Sequence, residues 1–382
     1  MTKTDKTKNV GVYIHIPFCI SKCSYCDFYS LPCKNPDNSD SKQRYCISLA
    51  RDICENGKSY DVKVSSVFIG GGTPTVLTKK QLILIIGALK NTFEFTPNAE
   101  FTAESNPATF DKEKLTALKK AGVNRLSIGM QSACKNELSA LNRIHSFDDV
   151  TRSFLLAREC GFDNINLDLM YGIPFQTIES FEYTLSKAIE LSPEHISVYG
   201  LQLEEGTPLY KNREKYVFPS DDAICELNQT ALEVLSRNGY HRYEISNYSK
   251  AGYECKHNLN YWNLGEYLGF GTGAHSYFDG RRFYTESDLK AYSETLKHSD
   301  LSVTEEILDQ EEKVREYVML RLRLTKGVET RKLLSLSKNA EKYLKSAKKY
   351  ISLGLMEEKN GFLHFTPSGF NVSNAILSDI LF

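Results

Sequence analysis

A regular alternation of short apolar runs and amphipathic helical patterns through the first half of the chain limits the fold more than any other feature. Val10 to Ile16 reads as a strand, with Tyr13 and His15 on one face and Val12, Ile14 and Ile16 on the other. Val64 to Ile69 is a second apolar run; it leads into Gly70-Gly71-Gly72-Thr73-Pro74 and then a helix opened by the capping-box pattern Thr78-Lys79-Lys80-Gln81. A short third strand, Glu100 to Ala103, precedes a helix from about Asp111 to Ala121. There Lys119 and Lys120 suit the negative end of the dipole and Gly122 supplies the stop. Arg125 to Gly129, Ile165 to Met170 and His195 to Tyr199 read as strands four to six, with helical patterns near Phe147 to Cys160 and Ile178 to Leu191 between them. Strands separated by helices imply parallel pairing through right-handed crossovers, so the chain is α/β. An open doubly wound sheet and a complete or partial barrel both satisfy the pattern.

Beyond about Pro208 the pattern changes. A helix from Asp221 to Asn238 is followed by a Tyr- and Asn-rich stretch, Tyr240 to Trp262, and a Gly-rich one, Gly265 to Gly273. From about Thr304 the chain is charged and helical, and Leu355 to Phe365 reads as a hairpin turning at Asn360-Gly361. Helices followed by a hairpin resemble a small winged-helix unit. Its basic stretch (Arg331, Lys332, Lys338, Lys342, Lys345, Lys348, Lys349) is offset by Glu305, Glu306, Asp309, Glu311, Glu312 and Glu316. The module therefore reads as a solvated face or a docking surface for protein, and no nucleic-acid partner is expected. With 47 basic against 48 acidic side chains the whole chain is not built as a polyanion binder. No apolar run approaches the ~18 to 20 residues that cross a bilayer, and the first nine residues lack the apolar core of a signal peptide, so a cytoplasmic protein is expected.

In a reducing compartment ten cysteines do not read as a disulfide framework. Cys33, Cys46, Cys54, Cys134, Cys160, Cys225 and Cys255 are scattered, whereas Cys19, Cys23 and Cys26 fall within eight residues. This Cys-x3-Cys-x2-Cys run follows the first strand directly, which puts it at the C-terminal end of that strand, where parallel α/β folds bind ligands. Thiolates select soft metals, so zinc and a four-iron cluster are the main options. A structural zinc site is closed by four ligands, but no fourth cysteine lies nearby and His15 would have to fold back from its strand. A four-iron cluster on three thiolates keeps one iron open, able to chelate an amine and a carboxylate. The glycine run sits on the same rim, where residues without side chains let the backbone approach a ligand. On spacing alone, three free cysteines, a zinc knuckle and an ordinary tight turn stay open.

Tyr-x-His-Ile-Pro-Phe-Cys-x3-Cys-x2-Cys, from Tyr13 to Cys26, resembles the radical S-adenosylmethionine superfamily. Its flanks resemble the branch containing oxygen-independent coproporphyrinogen oxidase and the HemW heme chaperones. Further motifs extend the likeness over nearly the whole chain: Gly-Gly-Gly-Thr-Pro at Gly70, Glu-Ser-Asn-Pro at Glu104, Gly-Met-Gln-Ser at Gly129, Leu-Asn-Arg-Ile-His at Leu141 and Asp-Leu-Met-Tyr-Gly-Ile-Pro at Asp168. The resemblance implies a partial (β/α)6 TIM-like barrel over residues 1–215, a connecting region over 216–300 and a smaller C-terminal winged-helix-like domain over 301–382. It also implies a [4Fe-4S] cluster on Cys19, Cys23 and Cys26. Tyr13, Gly71 and Glu104 match positions that contact S-adenosylmethionine. Tyr25, Gly72, Thr73, Gln131, Arg143 and Asp168 match positions lining the rest of that pocket, including a second S-adenosylmethionine in the oxidase. Glu104 and Asp168 at strand ends can accept from ribose hydroxyls or an amine, and Arg143 can pair bidentately with a carboxylate.

Two departures separate the groups within the branch. The oxidase carries another cysteine two positions after the third ligand, where this chain has Phe28, and it has a longer segment ahead of the motif. Both departures resemble the chaperone group, as does His257-Asn258-Leu259-Asn260-Tyr261-Trp262, whose imidazole is a candidate heme contact. The resemblance therefore implies a chaperone that binds heme and passes it to an acceptor protein such as a respiratory enzyme. Such a protein would reach the membrane peripherally, through the acceptor, and a homodimer is among the assemblies it allows. Coproporphyrinogen oxidase activity is the alternative, and a zinc-dependent nucleic-acid module is a second.

Overall fold

The computed structural model describes residues 8–33 and 38–382; the start of the chain, read above for a signal peptide, lies outside it as far as residue 7. Among the described residues, strands β1 (Lys8–Ile16), β2 (Val62–Gly71), β3 (Glu94–Ser105), β4 (Arg125–Gln131), β5 (Ile165–Tyr171) and β6 (His195–Gly200) pair side by side in chain order, each parallel to the next. Helices at Asn38–Asn56, Lys79–Thr92, Lys112–Lys120, Phe147–Glu159 and Ile178–Glu190 make the crossovers. Covered strands of this kind have no solvent face, and all seven residues of β4 are buried. The capping box forms as read, Thr78 accepting from the Gln81 backbone N–H while the Gln81 side chain accepts from the N–H of Thr78.

The sheet does not close on itself. Beyond β6 it continues with antiparallel Asn247–Ser249, and beyond β1 with Tyr267–Phe270, which runs parallel to β1 and is followed outward by His275–Phe278, Arg281–Thr285 and Ser302–Ile307, each antiparallel to the one before. The segment 216–300, expected as a connecting region, thus supplies several strands to the same sheet. No helix among the described residues is long and apolar enough to cross a membrane.

The C-terminal unit packs helices Gln310–Arg321, Thr330–Leu336 and Glu341–Ser352 around its own core, with Val314, Leu333, Tyr343 and Leu363 inside. The hairpin Met356–Lys359/Phe362–Phe365 turns where expected. Asn360 (φ 52°) and Gly361 (φ 79°) both take the left-handed conformation that a type I′ turn requires. The basic helix is solvated, with Lys345 and Lys349 paired to Glu341 and Asp379 at the surface.

This unit joins the sheet through Thr325, whose N–H donates to the Tyr243 carbonyl, and through a bridge between Glu244 and Leu324. Glu244 is buried there. Burial raises its carboxyl to about 7, against the opposing effect of a hydrogen bond from the Ser246 N–H. A carboxyl raised by folding contributes its full stability below its unfolded value near 4.5 and loses it as pH rises through about 7. Urea unfolding at a series of pH values is expected to show wild-type stability falling by roughly 2–3 kcal/mol relative to Glu244→Gln over that window. Parallel pH profiles for the two proteins would contradict this assignment.

Candidate cofactor site

The three clustered cysteines lie on the loop that leaves β1, and the chain holds that loop from three sides. A short parallel pair, Phe18–Cys19 with Leu31–Pro32, closes its base, and the Cys33 N–H donates to the Cys19 carbonyl at 2.8 Å. The Ser24 N–H donates to the Leu141 carbonyl, and its hydroxyl to the Ala140 carbonyl. The Asn142 amide donates to the Lys22 carbonyl, and the Leu209 N–H donates to the Ser24 carbonyl. The Leu141-Asn142-Arg143 motif therefore positions the cysteine loop as well as supplying Arg143.

Behind the loop stands the glycine run that ends β2. Gly71 has φ 104°, and a Cβ on it would lie 2.5 Å from the His15 ring; a Cβ on Gly72 would lie 2.6 Å from the Phe18 carbonyl oxygen. The strand end and the cysteine loop are in backbone contact, with the Gly72 N–H donating to the Ile16 carbonyl and the Thr73 N–H to the Phe18 carbonyl. From Thr73 a chain of hydrogen bonds runs across the rim. Arg143 donates to the Asn106 side-chain oxygen (2.9 Å), the Asn106 amide to the Thr73 hydroxyl (2.8 Å), and that hydroxyl to the Cys19 sulfur (3.6 Å).

These elements enclose a cavity of about 450 Å³. Cys19, Cys23 and Cys26 line it, as do Tyr25, Gly71, Gly72, Thr73, Glu104, Gln131, Arg143 and Asp168. Of the residues read as cofactor contacts, Tyr13 alone is placed elsewhere. It shares a strand face with His15, its hydroxyl is 3.0 Å from His15 Nδ1, and it lines a neighbouring cavity. Asn106, Tyr199, Gln202 and Glu204 also line the cysteine cavity and were not singled out. Tyr199 ends β6 on the same rim and was within reach of the strand-end rule, whereas Gln202 and Glu204 lie beyond it with no motif to mark them.

Polar groups in this cavity are prepared for a ligand. Gln131 sits at an irregularity of β4 with φ 61°, a conformation that costs a non-glycine residue about 1–2 kcal/mol. Its buried side-chain oxygen has no partner, nor does the buried Nε of Arg143. Buried polar atoms are normally paired, so these are groups that a bound molecule would satisfy. Burial, and then the charge of Asp168, push the Glu104 carboxyl up to about 8, although the Gly71 N–H donates to it at 3.2 Å. A cationic amine placed beside it would draw that proton off. Asp168 accepts from the Ser127 hydroxyl and the Asn166 amide, which fixes its carboxylate plane. Burial raises the Cys26 thiol to about 11 and raises that of Cys19, so these thiols ionise when a metal takes the proton's place. Among the described residues no three His, Cys, Asp or Glu side chains converge on a point that would hold a single metal ion. Cys19, Cys23 and Cys26 all line one cavity, and in a multi-iron cluster each thiolate would ligate its own iron.

The neighbouring cavity, about 560 Å³, shares Asp27 and Phe28 with the first. His257, read as a candidate heme contact, lies in neither. It is 1% exposed, with Nδ1 2.9 Å from the Ser66 hydroxyl and Nε2 2.8 Å from the Tyr261 hydroxyl. Burial, and then the charge of Arg125, lower its imidazole to about 3. Both ring nitrogens of His257 are engaged within the protein, it lines neither of these two cavities, and its contact with Tyr261 orients that residue. Two further contacts hold the motif helix. Glu100 accepts the N–H groups of Lys256 and His257 at the start of the helix Lys256–Trp262, and the Asn260 amide donates to the Glu266 carbonyl beyond its end.

Comparison with known proteins agrees with this geometry. Residues 13–188 match the Radical SAM superfamily model, and residues 308–372 match that of the HemN C-terminal domain. The chain is similar to the heme chaperone HemW of Bacillus subtilis (strain 168), 36% identical over 385 residues that cover 97% of this chain and 99% of that protein. It is also similar to the heme chaperone HemW of Escherichia coli (strain K12), 40% identical over 281 residues, covering 72% and 73%. Among solved structures, coproporphyrinogen III oxidase (HemN) from Escherichia coli, described as a radical SAM enzyme, superposes with a TM-score of 0.85, covering 98% of this chain and 90% of that one. At 23% identity that likeness carries the fold alone. It gives the unclosed sheet its architecture, a partial TIM-like barrel with a smaller C-terminal domain. The full-length likeness shows that the chain belongs to the HemW family of the radical SAM superfamily.

Proposed function

We propose that this protein is a heme chaperone: it binds heme, carries a [4Fe-4S] cluster with S-adenosylmethionine, and transfers the heme to an acceptor protein such as a respiratory enzyme. The observation that carries this reading is likeness over essentially the whole length to proteins described as heme chaperones, in a chain with Phe28 where the oxidase pattern has a further cysteine. In this reading Cys19, Cys23 and Cys26 hold the cluster, and Glu104 and the Gly71–Gly72 backbone receive the methionine end of the cofactor. Gln131, Arg143 and Asp168 fix the rest of it. Bound there, the cluster supplies one open iron for the amine and carboxylate of S-adenosylmethionine. The residues of the chain orient that ligand and keep the site buried at the C-terminal end of the strands. Contact with a membrane is made through the acceptor.

Transfer is tested with protein reconstituted anaerobically, loaded with hemin and mixed with membranes from heme-depleted cells. The expected result is stoichiometric movement of heme into a membrane protein and recovery of its redox activity. Heme that stays on the chain, or that reaches the membrane no faster than free hemin does, would contradict the transfer role.

A further inference from the structure

Thr73 stands where β2 gives way to the short turn Pro74–Val76, at the position whose side chain commonly caps such a turn. Its hydroxyl makes no capping bond. The backbone is held without it: the Thr73 N–H donates to the Phe18 carbonyl at 2.7 Å, and the Thr73 carbonyl accepts from the Val76 N–H at 3.0 Å. Thr73 is 2% exposed, so water has little access to the hydroxyl and its one proton is spent inside the protein.

The direction of the bonds around that hydroxyl is fixed by chemistry at the far end of the chain of contacts. Arg143 carries donors and no acceptor, so the Asn106 side-chain oxygen is the atom that meets it, at 2.9 Å. The Asn106 amide nitrogen is thereby turned to Thr73 Oγ1, at 2.8 Å, and donates to it. The Thr73 proton is left for the Cys19 sulfur, at 3.6 Å. Asn106 is itself tied at the end of β3, where its carbonyl accepts from the N–H and the hydroxyl of Thr109 at 3.2 and 2.6 Å. Gly129, on β4, keeps the space open: a Cβ there would lie 2.8 Å from Asn106 Oδ1 and 2.9 Å from Arg143 Nη2. All three bonds therefore run the same way, from a guanidinium to a sulfur, and hydrogen bonds aligned in series polarise one another.

We infer that Arg143, Asn106 and Thr73 form a polarised relay that raises the reduction potential of the cluster held by Cys19. The inference rests on the reading of Cys19 as a cluster ligand and adds what tunes that cluster. One-electron reduction, with the electron supplied by an added reductant such as dithionite, makes the cluster and its thiolates more negative. An O–H dipole aimed at a ligating sulfur favours that form, and burial keeps the effect large. Asn106 is a positioning residue: it acts through Thr73, by holding the hydroxyl in the orientation that donates to sulfur.

The full-length protein, reconstituted anaerobically and given no S-adenosylmethionine, is titrated with dithionite in the presence of redox mediators, and the reduced cluster is followed by electron paramagnetic resonance. Thr73→Val keeps the branched shape and removes the hydroxyl. At the wild-type midpoint its ratio of reduced to oxidised cluster is expected to be about tenfold lower, a shift of about 59 mV for a one-electron couple. Thr73→Ser, which keeps the hydroxyl, is expected to stay within about twofold of the wild type. Asn106→Leu and Gly129→Ala leave Thr73 and the cysteines in place and are expected to lower the ratio by about threefold, an effect that a loss of stability alone would not produce. These two variants carry the comparison where Thr73→Val takes up less iron than the wild type. Wild-type midpoints in Asn106→Leu and Gly129→Ala, or in an iron-loaded Thr73→Val, would overturn the relay while leaving the cluster in place. Failure of the wild-type protein to take up iron and sulfide would overturn Cys19 as a cluster ligand.

Discussion

Replacing any one of Cys19, Cys23 or Cys26 with alanine is expected to lower iron after anaerobic reconstitution from about four atoms per chain to well under one, with the brown colour lost. The effect is all-or-none for a physical reason. In the proposed site each thiol ligates a separate iron, and among the described residues no additional cysteine lines the same cavity to replace a lost one. Cys33 is the control. Its thiol donates to the Cys19 carbonyl at 3.1 Å, so Cys33→Ala removes one hydrogen bond to the loop and is expected to leave iron content unchanged. Iron and sulfide assays with absorption spectra decide the matter, and a single-cysteine variant that retained four irons would contradict the ligand assignment.

The second large effect is expected at the glycines behind the loop. In Gly72→Ala the new methyl would lie 2.6 Å from the Phe18 oxygen and 2.8 Å from the Ile16 oxygen, both backbone atoms already bonded to this segment. In Gly71→Ala it would meet the His15 ring in a backbone conformation that L-residues avoid. Overpacking costs about 1–3 kcal/mol and the left-handed conformation about 1–2 more. Each variant should therefore unfold several degrees lower and lose S-adenosylmethionine binding. Gly87, in the helix Lys79–Thr92, has open space around its Cβ position, so Gly87→Ala should stabilise by about 0.5–1 kcal/mol. Thermal unfolding of the three variants measures these differences. Equal melting temperatures for Gly72→Ala and the wild type would remove the close-approach explanation for the glycine run.

Much of the barrel was legible in the sequence because its strands are buried on both faces and its helices carry clear caps. Val10 to Ile16, the Thr78 capping box and the Asn360-Gly361 turn each combine local chemistry with burial in the same direction. The helix Asn38–Asn56 was not read. Its buried stripe (Tyr45, Cys46, Leu49, Ile53) is narrow and embedded among charged residues. The strand Tyr267–Phe270 was missed because four residues containing a glycine carry no usable alternation; its place is set by pairing with β1. At the site, the cysteine spacing and the glycine run stand out in the sequence because their chemistry is local, and the fold brings both to one cavity. Tyr13 and His257 were harder. Which cavity a strand residue faces, and whether a histidine nitrogen already has a partner, depend on residues far along the chain, such as Ser66 for His257.

The central claim is that this barrel handles heme as cargo and does not oxidise a porphyrinogen. One reconstituted sample tests it most directly: the protein is given reductant, S-adenosylmethionine and coproporphyrinogen III, and a parallel aliquot is titrated with hemin and passed through gel filtration. The account predicts one heme retained per chain and no protoporphyrinogen formed. Turnover of coproporphyrinogen III with no retained heme would contradict it.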